Sequence, residues 1–133
     1  MASGEASLGN ELRRVLVDRD LAALGDAFVN LVYSLASSKQ TGRPQGLKVR
    51  NRVLAEAVRL AGLRELLPGR LDRHTIGNSA EALLAYACLE RLLSVDECAE
   101  MLMQRLDEPE EAFARLLTVA VERVRARGRA GDS

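Results

Sequence analysis

The sequence predicts a single all-α domain of about six to seven helices. Three observations carry that expectation. No segment shows sustained period-2 alternation of β-branched residues. Apolar residues recur instead at helical spacing along most of the chain. With no Trp and 3% aromatic residues, the core must be built from Leu, Val and Ala, which suit helices packed on helices. A length of 133 residues allows one domain with a core and little more.

A tail is expected over residues 1–7, a folded domain over 8–127 and a second tail over 128–133. A short amphipathic helix follows the first tail, from about Leu8 to Val17, and Asp18 or Asp20 caps the next one. From Leu21 to about Lys39 the residues Leu21, Leu24, Phe28, Leu31, Val32 and Leu35 keep helical spacing. Residues 41–46 hold Gly42, Pro44 and Gly46 and read as a loop. Helical spacing resumes from Lys48 to Ala61, ending at Gly62 in the left-handed conformation. Leu63 to Leu67 is a short helical piece stopped by Pro68 and Gly69. Gly77 and Asn78 stand near the start of the most apolar helix, which includes Ala80, Leu83, Leu84, Ala87 and Leu89. Ser94 and Glu97 form a capping box for a helix to about Leu106. Pro109, with acidic residues around it, opens the last helix, whose apolar face is Phe113, Leu116, Leu117, Ala120 and Val124.

The formal net charge is zero, with 19 basic and 19 acidic residues, which argues mildly against a nucleic-acid partner. The distribution is uneven. Between Lys39 and Arg73 nine basic residues face three acidic ones, and the acidic excess lies in the flanks. Cys88 and Cys98 both fall in helical apolar patterns, so buried free thiols are expected rather than a disulfide scaffold. No secretory signal or stretch of transmembrane length is read from the sequence, which implies a cytoplasmic protein with no membrane partner.

Two acidic residues stand out in apolar helices. Asp26 follows Gly25, a poor helix former that commonly marks close approach of another backbone or a ligand. Asn30 lies one turn on, on the same face. Glu81 sits between Ala80 and Ala82, with Asn78 one turn earlier. A carboxylate held against a core must be paired or must bind a metal. Oxygen ligands of this type suit Mg2+ or Mn2+, which hydrolyse phosphodiesters by activating water and stabilising the leaving oxygen. Spacing alone leaves the alternative open that Asp26 and Glu81 pair with arginines or cap helices.

The run from Leu24 through Gly25, Asp26, Ala27 and Phe28 to Asn30 resembles the signature helix of the ribonuclease III family. About fifty residues later, Asn78 to Leu84 falls where that family has a second helix ending in Glu-Ala-Leu. Val53 to Val58 resembles the connecting helix, so the likeness spans roughly Leu21 to Leu92. The resemblance implies an endonuclease-like helical domain in a short, catalytic-domain-only form, similar to the Mini-III type or to an archaeal branch. It implies a metal-dependent endoribonuclease acting on double-stranded or structured RNA, with a role in rRNA processing. Asp26 and Glu81 match the catalytic, Mg2+-binding (or Mn2+-binding) residues, Asn78 adds a third ligand, and Asn30 supports them from behind. Two departures stand against this. Ala22 replaces a glutamate of the full-length enzymes, and Asn78 replaces an aspartate, leaving two charges where the family usually has four.

The resemblance further implies a homodimer, with Leu21, Leu24 and Phe28 at the interface or in the monomer core. No double-stranded RNA-binding domain is expected in this length, so RNA is held by the domain itself or by an accessory RNA-binding protein. A-form duplex is read largely by shape and backbone contact. Arg43, Lys48, Arg50, Arg52 and Arg73 are the candidate RNA contacts, unless they simply solvate helix faces. Arg123, Arg125, Arg127 and Arg129 form a basic C-terminal stretch that would add non-specific affinity. The competing readings are a degenerate member that binds or scaffolds RNA without cutting, and a helical protein-interaction module with no RNA role.

Overall fold

The structure is a computed structural model that describes the backbone of residues 2–131 and the side chains of residues 9–129. Six helices make it up: α1 (Ala2–Leu16), α2 (Arg19–Thr41), α3 (Asn51–Leu60), α4 (Arg73–Leu89), α5 (Val95–Met103) and α6 (Pro109–Gly131). A single 3-10 turn, Arg64–Leu66, lies between α3 and α4, and there is no strand among the described residues. The helix begins at Ala2 where a tail was expected, and α6 runs past residue 127 to Gly131. Met1, Asp132 and Ser133 of the expected tails lie outside the described residues.

Helix α4 is the central element. Nearly every residue from Gly77 to Ala87 is buried, so the helix is covered on all sides, with Ser79 and Glu81 as its buried polar members. α1, α2, α3 and α6 pack around it, and α5 bridges α2 and α6. The core is aliphatic as expected: Leu12, Leu54, Leu83, Leu84, Leu102, Leu116 and Leu117 are fully buried, with Phe113 as its largest member. Cys98 is buried and its thiol is pushed up to about 12 by burial, so it is an inert packing residue. α2 has the length and composition to cross a bilayer, which corrects the expectation that no apolar stretch reaches that length. Here its apolar residues Phe28, Val29, Val32 and Ala36 are core.

The expected caps at Asp18 and Ser94 form, but the Glu97 carboxylate goes to Arg123 and not back to the Ser94 amide, so only half of the capping box is made. Asp18 Oδ1 accepts from the Leu21 N–H at 2.9 Å, Asp72 Oδ1 from Thr75 at 2.7 Å, and Ser94 Oγ from Glu97 at 3.0 Å. Gly42 and Gly62 close α2 and α3 with φ of 76° and 74°. The arginines of α6 serve the fold. Arg123 grips the Glu97 carboxylate with both Nη atoms and donates to the Leu92 carbonyl. Arg127 donates to Glu11, Glu90 and the Tyr86 hydroxyl, tying α1 and α4 to α6. That corrects the expectation of a free basic tail there: Arg125 and Arg129 are exposed, whereas Arg123 and Arg127 are engaged.

The segment from Gln45 to Arg50 is an extended strap, not the start of α3 as the apolar spacing suggested. It runs antiparallel to α2, and alternate amides bond to side chains four residues apart on the helix. Gln45 N–H donates to Ser38 Oγ at 2.8 Å, Leu47 N–H to Ser34 Oγ at 2.8 Å, and Val49 N–H to Asn30 Oδ1 at 2.8 Å. The match is geometric. Four residues of helix rise about 6 Å, and two residues of extended chain advance about 6.6 Å. Polar side chains at four-residue spacing can therefore satisfy alternate amides of a strand laid alongside, which a helical start would have left unneeded.

Candidate active site

Ala22, Asp26, Asn30, Ser34 and Ser38 form one stripe along α2 at four-residue intervals. Its last three members hold the strap, and its first two face a cleft. What aligns Asp26 with its partner is Gly25. A methyl group there would sit 1.9 Å from the carbonyl oxygen of Glu81. The backbones of α2 and α4 touch at this point, as the mid-helix glycine foreshadowed. The contact sets the adjacent Asp26 beside Glu81.

The two carboxylates line one cleft, and Asp26 is near enough to Glu81 to raise its pKa. Glu81 is 4% exposed and Asp26 faces solvent. Burial first, and then the neighbouring Asp26, push the Glu81 carboxyl up to about 8, with Lys48 opposing. Asn78, with its amide oriented by its neighbours, donates to Glu81 Oε1 at 3.2 Å and to the His74 carbonyl at 3.3 Å. Among the described residues no arginine or lysine forms an ion pair with either carboxylate, and neither caps a helix. The structural alternative left open by spacing alone is thereby removed.

The cleft over this pair has a volume of about 750 Å³. Asp18, Arg19 and Ala22 bound one side; Asn51, His74, Thr75 and Asn78 bound another. Leu67, Pro68 and Leu71 form an apolar wall, and Lys48 enters from the strap. His74 Nδ1 is 2.9 Å from the Asn51 amide nitrogen, which links the starts of α3 and α4 at the rim.

The predicted residues separate into two groups. Asp26, Glu81, Asn78 and Lys48 come together in the cleft. Asn30 does not stand behind the carboxylates as expected, because its Oδ1 is used by Val49 in the strap. Arg43 borders a separate depression with Leu31 and Ser34. Arg50, Arg52 and Arg73 are exposed but do not line the cleft; their neighbours Asn51 and His74 do. The apolar wall and the place of Asn51 beside His74 carry no periodic signal in the sequence. The four-residue polar stripe was legible and went unused.

The donor set fits a hard divalent cation. Two carboxylates with no ion-pair partner among the described residues face one cleft, and burial, then Asp26, raise the Glu81 carboxyl to about 8. The set is lean: no group of three or more His, Cys, Asp or Glu suited to a metal occurs among the described residues. Ala22 lines the cleft without offering a ligand. A family model described as Ribonuclease III matches residues 19–126. The chain belongs to the ribonuclease III family. No curated protein matches it closely enough to count as a relative. The enzymes of the ribonuclease III family generally depend on Mg2+, and the match covers α2 through nearly all of α6, so both carboxylate helices lie inside it.

Proposed function

We propose that this protein is a metal-dependent endoribonuclease that hydrolyses phosphodiester bonds in double-stranded or structured RNA, with rRNA precursors as a natural substrate class. The observation that carries the reading is the unpaired Asp26–Glu81 carboxylate pair at the floor of an open cleft. Asp26 and Glu81 hold Mg2+ or Mn2+; when bound, the ion supplies an activated water and charge stabilisation at the leaving oxygen. Glu81 would have to give up its proton to serve as a ligand beside Asp26. Asn78 orients Glu81 by donating to Oε1, and it lines the same cleft as a neutral candidate ligand. Leu67, Pro68 and Leu71 give the cleft an apolar part of its lining.

A homodimer accompanies this reading. Helix α2 exposes Leu24 at 47% and Leu31 at 49%, with Ala27 exposed between them. A second copy covering that stripe buries it and sets two clefts on one duplex, one for each strand. Arg50, Arg52 and Arg73 are exposed beside cleft residues and available to RNA phosphates, and Arg43 is exposed at the separate depression. An accessory RNA-binding protein adds grip where the domain's own charge is thin.

A second reading is favoured by Ala22 and Asn78: a member that binds RNA as a scaffold and does not cut. Cleavage of a labelled RNA duplex with Mg2+ or Mn2+ separates the two, comparing the wild type with Asp26→Asn and Glu81→Gln. Cutting that needs the metal and both carboxylates is expected. Tight binding without cutting moves the protein to the scaffold reading, and neither binding nor cutting removes both.

A further inference from the structure

We infer that Lys48 contacts the scissile phosphate and that the Asn30–Ser34 ladder on α2 is the device that holds it there. The inference rests on the endonuclease reading and deepens it. Lys48 sits between the two residues whose amides are clamped, Leu47 by Ser34 and Val49 by Asn30. The Ser34 hydroxyl also donates to the Leu47 carbonyl at 3.2 Å. Because side chains alternate along an extended chain, clamping both neighbours against α2 fixes the direction of the residue between them. That residue lines the cleft of Asp26 and Glu81 and acts electrostatically on Glu81. Asp26, Asn30 and Ser34 share one stripe of α2, so one helix face sets both the carboxylate and, through the strap, the ammonium group.

Charge balance gives Lys48 its role. At the cleft mouth Asp18 and Arg19 offset each other, and His74 and Asn51 bring no fixed charge. Two carboxylates, one ammonium group and one divalent ion leave a single positive charge. A phosphodiester carries a single negative one. With Ala22 contributing nothing and Asn78 being neutral, a second divalent ion finds little charge to hold it, and Lys48 remains as the second cation over the phosphate. A lysine so placed repels a cation in the empty cleft and attracts RNA, so its removal moves the two affinities in opposite directions. A merely structural residue moves them together.

The test uses the full chain. Binding of a short RNA duplex in EDTA is followed by fluorescence anisotropy across a salt series, and Mn2+ binding without RNA by electron paramagnetic resonance. For Lys48→Gln, RNA affinity is expected to fall about fivefold to tenfold and the salt slope by about one. Mn2+ affinity is expected to rise about threefold. Lys48→Arg should recover most of the RNA affinity. Asn30→Ala should lose part of it, and Asn30→Ala combined with Lys48→Gln should lose no more than Lys48→Gln alone, since one acts through the other. The inference is overturned if Lys48→Gln binds RNA as the wild type does, or if Arg115→Gln, on the exposed face of α6, costs as much. A wild type that binds neither RNA nor Mn2+ removes the endonuclease reading itself.

Discussion

Replacing Glu81 by Gln should make the metal-free protein more stable at alkaline pH while abolishing its activity. Glu81 carries a carboxyl raised from 4.5 to about 8 by burial and by Asp26. Its folded-state value lies above its unfolded one, so between those two values the folded protein holds a proton that the unfolded chain has released. Stability therefore falls as pH rises through that window, and the full penalty is present above 8. The gap corresponds to about 4–5 kcal/mol at ~1.4 kcal/mol per unit. Local relaxation and water entry reduce this to about 2 kcal/mol. For a chain of this length each kcal/mol moves the melting temperature about 4 °C, so the expected difference is about 8 °C. Gln is nearly isosteric, retains an oxygen for the Asn78 amide and can donate to Asp26. Thermal unfolding followed by circular dichroism in EDTA, from pH 5.5 to 9, would measure it. The wild-type curve should drop away from that of Glu81→Gln as pH rises, and Mn2+ at pH 8.5 should restore the wild type alone. Parallel curves for the two proteins would refute the argument that Glu81 is buried beside a like charge.

Three further outcomes follow from the geometry. Gly25→Ala places a methyl 1.9 Å from the Glu81 carbonyl and must separate α2 from α4, costing more than about 3 kcal/mol in urea unfolding. Ala22→Glu adds a carboxylate beside the Asp26–Glu81 pair; calorimetry should show Mn2+ binding about tenfold tighter, while the metal-free protein loses stability at neutral pH. Leu24→Glu with Leu31→Glu should leave the monomer folded, since both side chains are about half exposed, and light scattering should report half the wild-type mass.

Much of this was legible in the residues. Helical spacing placed α2, α4 and α6, because long apolar stripes such as Phe113, Leu116, Leu117 and Val124 have no other regular explanation. The caps at Asp18, Ser94 and Gly62 were readable because each supplies a group that the chain end lacks. Gly25 announced a close approach without saying to what. The strap was misread because Val49, Val53 and Leu54 continue an apolar spacing through the boundary at Arg50. Its cause lies nineteen residues away in Asn30, and no local window contains it. The left-handed turn after α4 falls on Arg91, with φ of 59°, where no glycine marks it. The cleft's far wall depends on tertiary packing of Leu67 and Leu71, which a one-dimensional pattern does not express.

The contact at Gly25 also bears on the rigidity of the cleft. Backbone meets backbone there, so the wall carrying Asp26 and Glu81 cannot flex without unpacking the centre of the bundle. The strap side is stitched to α2 by three amides. The remaining side is the stretch from Leu67 to Leu71, which has neither helix nor ladder and is fastened by Arg64 at the Pro68 carbonyl. The floor and one flank are thus tied backbone to backbone or backbone to helix, while the flank from Leu67 to Leu71 is held mainly by side-chain packing and the Arg64 bond.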